Sequence, residues 1–384
     1  MTIFRKTRAE INLLHLENNL NEILNLAGPD RFVCPMIKAN AYGHGAVQVA
    51  KTILKNKIIP LGVALIEEAL ELRQAGIKSN ILVFSDFDHR GSKSIIEAQL
   101  TPVISDFNQL RMLEKNVDKE IAVHIKLNTG MNRRGFNEHD IGELIHFFNS
   151  QVKIKIQGLL SHFHSAYQIE NEKSSALAQL KLFSDYADHF KKFEIIPHIL
   201  NSDAIAVMSK KNILNSELEI LFKKQSWGFR PGLMLYGYHD QNIKSEMQLY
   251  PVMNFKSVVV GIQKIKTGES VSYNATWVAK RNSMIAIVSA GYADGVHRAM
   301  SNKGFAFINN QKVSIVGNIC MDYLMLDVTD LKSDALVDAD VVFFSDSKLN
   351  QSAVEFAAAA GTISYEALTS VSSRVNRIYT KEKL

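Results

Sequence analysis

The chain has 384 residues, 44 Lys+Arg against 39 Asp+Glu for a formal charge of +5, and 46% hydrophobic residues. That length and apolar content exclude a disulfide-stapled miniprotein and a mainly disordered chain, and at roughly 150 residues per domain they point to two or three domains. The small basic excess is scattered, which reads as solvated surface rather than a nucleic-acid footprint. No run of about 18 apolar residues is present to span a bilayer, and the opening MTIFRKTRAEINLL lacks the apolar stretch of an export signal. A soluble, cytoplasmic protein with neither a membrane nor a nucleic-acid partner is expected. Cys34 and Cys320 are too few and too far apart for a disulfide framework or a zinc cluster.

Apolar runs at 32–37, 59–64, 81–84, 102–104, 121–127, 154–163, 197–200 and 226–229 read as strands, with helix-period stretches such as 66–75 and 174–190 between them. Eight strand-helix units fit a closed (β/α)8 barrel whose parallel strands are buried on both faces. A six-stranded doubly wound sheet is the runner-up. Beyond Gly237 the texture changes. Runs at 252–265, 271–274, 284–289, 305–308, 313–316, 323–328 and 341–344, separated by Gly, Asn and Asp turns, read as a mostly-β domain. The alanines at 357–360 predict a short helix stopping at Gly361.

A barrel assembles its active site from the carboxyl ends of its strands, so those ends are where chemistry is sought. The first ends at Lys38, in KANAYGHG. A lysine closing an apolar strand is desolvated at the barrel mouth, which lowers its pKa and suits it to Schiff-base chemistry. The fifth end carries Lys126 and Arg133, the sixth His162 and His164, the seventh Asn201 and Ser202, and the eighth Arg230-Pro231-Gly232. The loops after strands seven and eight are where barrels commonly bind phosphate, so a phosphorylated carbonyl cofactor joined to Lys38 satisfies both observations. His162 and His164 alternate on the predicted sixth strand and would share a face. With no acidic or cysteine cluster nearby to complete a shell, no metal site is read there.

KANAYGHG at 38–45 resembles the cofactor-lysine segment of alanine racemases, pyridoxal-phosphate enzymes with a (β/α)8 barrel and a C-terminal β domain. KLNTGMNRRGF at 126–136, SHF at 161–163, NSDA at 201–204, RPGLMLYG at 230–237, VSYNATW at 271–277, GYADG at 291–295, GNICMD at 317–322 and ISYE at 363–366 continue the resemblance in order over nearly the whole chain. It implies a barrel over 11–238 that binds pyridoxal 5'-phosphate. Residues 1–10 and 239–384 would form a β domain that contributes to a partner's site in a homodimer.

The resemblance also assigns roles. Lys38 would carry the cofactor as a Schiff base, and Tyr42, Ser202, Tyr365 and the backbone amides of Gly232 and Leu233 would hold its phosphate. Arg230 would face the pyridine nitrogen, supported by His162. Arg133 would bond the phenolic oxygen and approach the substrate carboxylate with the Met321 amide of the partner. Lys126, often carbamylated in the family, would brace Arg133; Tyr273 of the partner would be the second base; Tyr292 would narrow substrate access. Taken alone, Tyr273 reads as an ordinary alternating strand aromatic.

The implied reaction is interconversion of L- and D-alanine by two-base Cα proton transfer. Serine or broad-specificity racemisation is the alternative, and a decarboxylase of the same fold is less fitting because those usually present Glu-Pro-Gly where Arg230-Pro231-Gly232 stands. Service in peptidoglycan-precursor synthesis or in D-alanine breakdown is open at this point. Three departures stand out: Asn128 where Asp is common, Arg134 where a hydrophobic residue is common, and a segment at 374–379 without the usual proline.

Overall fold

The computed structural model describes residues 5–55, 57–210, 212–213, 216–331 and 336–381. They fall into two compact units. The larger comprises Leu16–Ala41 and Ala46–Leu249; the smaller takes the described residues up to His15, Tyr42–Gly45, and those from Tyr250 onward.

In the larger unit, strands Leu61–Val63, Ile81–Val83, Thr101–Ile104, Ile121–Lys126, Ile154–Leu160, Ile196–Leu200 and Gly228–Phe229 run in chain order, each parallel to the next. Several are buried at every position, as expected where both faces are covered. The predicted first strand closes the ring in reduced form, since Val33 bridges Phe229 and Met36 bridges Gly62, both parallel. Cys34 donates its N–H to Phe229 O, and Gly62 donates to Pro35 O, each at 2.9 Å. Pro35 has no N–H to give, so bridges replace a continuous ladder. Pairing on both sides of this segment makes a closed barrel and excludes the open doubly wound sheet.

Helix Ser175–Asp188 shows how the outer layer is fixed. Ser174 caps it by accepting the Leu177 N–H at 3.1 Å, which satisfies one of the orphan donors of a helix start. Leu177, Leu180 and Phe183 then fall on one buried stripe, with the Phe183 ring 5.5 Å from Trp227. Each such buried side chain contributes about 1.5–3 kcal/mol.

In the smaller unit, strands Met253–Ile265, Ser283–Val288, Phe305–Ile308, Gln311–Ile315, Leu324–Asp327 and Asp340–Phe344 pair antiparallel. The ring closes because Met253–Ile265 meets both Ser283–Val288 and Asp340–Phe344. At 13 residues that strand is long enough to serve both edges, and closure removes the exposed edges an open sheet would leave. Phe255, Phe343, Phe344 and Phe356 fill the core, Phe255 and Phe343 with centroids 4.9 Å apart. Strands Arg8–Asn12 and Asn376–Thr380, mutually parallel, extend this sheet; they and helix Ser364–Ser370 went unread in the sequence. The predicted strand over 271–274 ends at Val271: Ser272, Asn274 and Ala275 take φ of +67°, +62° and +47°, so Tyr273 sits in a 3-10 turn and not on an alternating strand. Among the described residues no helix is long and apolar enough to cross a membrane.

Candidate active site

The carboxyl ends of the barrel strands gather a set of cations. Lys38, Lys126, Arg133 and Arg230 lie close enough to act on one another electrostatically. Lys38 is partly open to solvent but desolvated at the strand end. That loss of hydration, then Arg133, lowers its pKa, with Glu68 opposing and Arg230 adding to the fall. Lys126 is lowered to about 8, first by desolvation and then by Arg133 and Arg230. Glu68 is partly engaged elsewhere, accepting the N–H groups of Ala39, Ala64 and Leu65 at 2.5, 2.7 and 3.0 Å.

Directly after Lys38 the chain makes a left-handed turn, with φ between +51° and +54° from Ala39 to Tyr42. A non-glycine residue there costs about 1–2 kcal/mol, so local bonds must hold the turn. Ala41 donates to Ile37 O, and Asn40 Oδ1 accepts the Ala46 N–H, both at 2.8 Å. At Gly43 a Cβ would lie 2.3 Å from Leu368 O, so only glycine fits.

Arg230 is buried, and burial lowers its pKa to about 10, leaving it a cation at neutral pH. Its Nη2 donates to Ser161 O at 2.6 Å, and Nη1 donates to His198 Nδ1 at 2.9 Å. His198 Nε2 lies 2.7 Å from His124 Nδ1. Sequence reasoning missed both histidines; the available signal was polar residues at inward positions of strands otherwise made of apolar ones. His162, the expected support of Arg230, lies in the field of Arg230, Arg133, Lys126 and Lys38. Desolvation first, then those charges, pushes its pKa down to about 3, so it is a neutral ring. The expectation that His162 and His164 share a strand face is corrected: the strand ends at Leu160, whose carbonyl takes the Leu127 N–H at 2.7 Å, and both histidines follow it.

Ser202 begins helix Ser202–Met208, and Asn201 caps it by accepting the Ala204 N–H at 3.1 Å. Ser202 Oγ accepts the N–H groups of Gly232 and Met234 at 3.1 and 3.2 Å. With its lone pairs so engaged, the hydroxyl proton is free to donate to an anion. A rim of two lysines and two arginines whose positive charges disfavour one another, with a hydroxyl donor beside it, fits an anionic cofactor such as pyridoxal phosphate.

The departures from the family pattern have structural partners. Asn128 Nδ2 donates to Asn132 Oδ1 and Asn137 Oδ1, both at 3.0 Å, and its Oδ1 accepts the N–H groups of Gly130 and Asn132. An aspartate could not make the first two bonds. Arg134 pairs with Asp86 and, at 3.0 Å, with Asp106. Together these order the loop that carries Arg133.

In the smaller unit, the Tyr42 ring lies 6.0 Å from that of Tyr365, on helix Ser364–Ser370. Burial raises the Tyr42 pKa, so its phenol stays protonated. Tyr273, Tyr292 and Met321 project from the surface, 69%, 42% and 52% exposed. Asn318 Nδ2 donates to Tyr273 O at 2.8 Å, and Tyr292 N to Cys320 O at 2.9 Å, which gathers the three loops. Tyr273 also rims an apolar cavity of about 760 Å³ lined by Ile265, Val271, Ile285, Ile287 and Met325.

A closed barrel with a desolvated lysine at its mouth, and a β domain in the same chain, is the architecture of one class of pyridoxal-phosphate-dependent enzymes. The chain belongs to the alanine racemase family: residues 11–240 match its N-terminal domain and residues 252–379 its C-terminal domain. It is 36% identical to the alanine racemase of Sorangium cellulosum, over 98% of this chain and 99% of that protein. The alanine racemase of Clostridium difficile 630 superposes with a TM-score of 0.88 at 32% identity, covering 99% and 97% of the two chains. That of Bacillus anthracis, solved with bound L-Ala-P, gives 0.86 at 28% identity over 99% and 96%. The activity is accordingly that of an isomerase acting on alanine, with pyridoxal phosphate as cofactor.

Proposed function

We propose that the chain racemises alanine by two-base proton transfer, with Lys38 serving one face of the substrate Cα and Tyr273 of a partner chain the other. Pyridoxal phosphate, when bound, supplies the electron-withdrawing ring that acidifies the Cα proton. The observation that carries the reading is the position of Lys38 directly after the segment that closes the barrel, where desolvation first, then Arg133 and Arg230, lower its pKa and favour the amine as a base. Ser202, the Gly232 and Leu233 backbone, Tyr42 and Tyr365 would hold the phosphate. Arg230 would lie toward the ring nitrogen, and a guanidinium, which gives up no proton at neutral pH, would supply no acid there. Arg133, braced by Lys126, and the Met321 amide receive the substrate carboxylate; His162 stays neutral beside Arg230; Tyr292 narrows access.

In this reading the barrel over 11–238 binds the cofactor, and the β domain of 1–10 and 239–384 completes the site of the other subunit in a cytoplasmic homodimer. The support is the exposure of Tyr273, Tyr292 and Met321 in one cluster beside an apolar cavity. Incubating each L-amino acid with enzyme and cofactor and resolving the products by chiral chromatography tests the reading. Alanine should racemise fastest; a decarboxylated amine as main product would overturn it.

A further inference from the structure

One buried carboxylate ties the turn that carries Tyr292 to the loop that carries Met321. Asp294 has no exposed surface. Its Oδ2 accepts the Gly291 N–H at 2.9 Å, and its own N–H donates to Gly291 O at 3.0 Å, closing the 3-10 turn Tyr292–Asp294. Arg5 meets both carboxylate oxygens, with Nη2 to Oδ2 at 2.8 Å, and Nη2 also donates to Ser289 O at 2.8 Å. Arg374 Nε lies 3.2 Å from Asp294 Oδ1, while its Nη2 donates to Asp322 Oδ1 at 2.6 Å. Arg374 therefore bridges the Tyr292 turn to the residue that follows Met321.

The backbone locks the same two segments. Tyr292 N donates to Cys320 O at 2.9 Å and Ala293 N to Met321 O at 3.1 Å. A Cβ on Gly291 would come within 2.4 Å of Met321 O, so the two loops touch with no room to spare. Tyr292 and Met321 are only about half covered, so the backbone bonds and the carboxylate beneath them carry much of the work of holding them in place. Charge-assisted bonds to a buried carboxylate are short and directional, and removing that charge leaves two guanidiniums facing each other.

We propose that Asp294 is a positioning residue for substrate selectivity: through Arg5 and Arg374 it fixes the spacing between the Tyr292 ring and the Met321 backbone, and hence the size of amino-acid side chain the site accepts. This rests on the reading that Tyr292 and Met321 border the substrate path, and the test separates the two. Asp294→Asn keeps an acceptor for the Gly291 N–H but removes the charge. Arg374→Ala breaks the bridge from a partly exposed position where folding is not at stake, Arg374→Lys restores part of it, and Tyr292→Ala removes the ring. For each, KM and kcat for alanine, the serine-to-alanine ratio of kcat/KM, the thermal midpoint and the cofactor absorbance are measured.

Asp294→Asn should raise the KM for alanine, and raise the serine-to-alanine ratio, by roughly tenfold, the order by which pockets separate substrates of slightly different size. Arg374→Ala should follow in the same direction, and Arg374→Lys should recover part of the change. A purely structural role predicts something else: kcat falling with the folded or cofactor-loaded fraction while KM and the ratio stay put. That result in Arg374→Ala overturns the proposal even if Asp294→Asn fails to fold. If Tyr292→Ala shifts the ratio and Arg374→Ala does not, the clamp alone is wrong. If Tyr292→Ala shifts nothing, the placement of Tyr292 on the substrate path falls, and the selectivity role with it.

Discussion

Arg230 Nη1 donates to His198 Nδ1 at 2.9 Å, and this one bond fixes the protons of a chain of groups behind it. Because a guanidinium only donates, His198 Nδ1 must accept, so its proton sits on Nε2 and points at His124 Nδ1, 2.7 Å away. His124 then has its proton on Nε2, directed toward the Gln157 side chain. The arginine assigned to the cofactor's ring nitrogen is thus backed by two neutral imidazoles rather than by a carboxylate. No acid within this chain of groups can pass a proton forward.

That arrangement sets an acid limit on stability. Desolvation, foremost, holds His124 at about 4 and His198 well below the usual value of 6.5. Between pH 6.5 and about 4 the unfolded chain therefore binds more protons than the folded one, so stability rises with pH across that window and is lost as pH falls through it. For His124 alone the span corresponds to on the order of 3 kcal/mol. His124→Asn, which keeps an acceptor but cannot titrate, should flatten the decline. Urea unfolding at a series of pH values checks this, and an unchanged slope would mean that His124 is not the neutral ring described.

The covalent role proposed for Lys38 makes a direct chemical prediction. Its lowered pKa and its place at the barrel mouth suit it to bond the cofactor aldehyde. The protein should show visible absorbance that borohydride abolishes, with the reduced cofactor mapped to the peptide containing Lys38. Lys38→Ala should hold cofactor only reversibly. A reduced label at Lys126, the other lysine with a lowered pKa, would reassign the role.

Much of the barrel was legible because buried parallel strands leave short apolar runs, and seven of the eight appear as ladders close to their expected bounds. The first was legible as a strand but not as a broken one, since the effect of Pro35 depends on which neighbour would have needed its N–H. Strands Arg8–Asn12 and Asn376–Thr380 were missed because they stabilise each other across almost the whole chain, and neither shows a strong apolar alternation by itself. Tyr273 was assigned by resemblance, while its local setting was misjudged: the left-handed residues on either side, Ser272 and Asn274, carry no glycine to announce a turn. The His198–His124 pair was hidden for a related reason. A histidine in an apolar run reads as a core residue until the arginine facing it is placed.

The shared-site proposal can be tested by complementation. Lys38→Ala and Tyr273→Phe should each be nearly inactive, yet refolding them together should restore activity. In a mixed dimer one of the two sites receives both native residues. Size-exclusion chromatography with differently tagged subunits would establish that heterodimers form. No recovery in such heterodimers would place Lys38 and Tyr273 in the same chain's site.

The two proposed bases can be uncoupled by following each enantiomer separately. By resemblance to the family, Lys38 should remove the Cα proton of D-alanine and Tyr273 that of L-alanine. In Tyr273→Ala the amine of Lys38 survives, so the variant should still exchange the Cα hydrogen of D-alanine with deuterated solvent, configuration retained, while exchange of L-alanine collapses. Racemisation should fall in both directions, because each direction needs both groups. NMR of the Cα signal for each enantiomer reads this out directly. Equal loss for both enantiomers, or loss confined to D-alanine, would remove Tyr273 from the role.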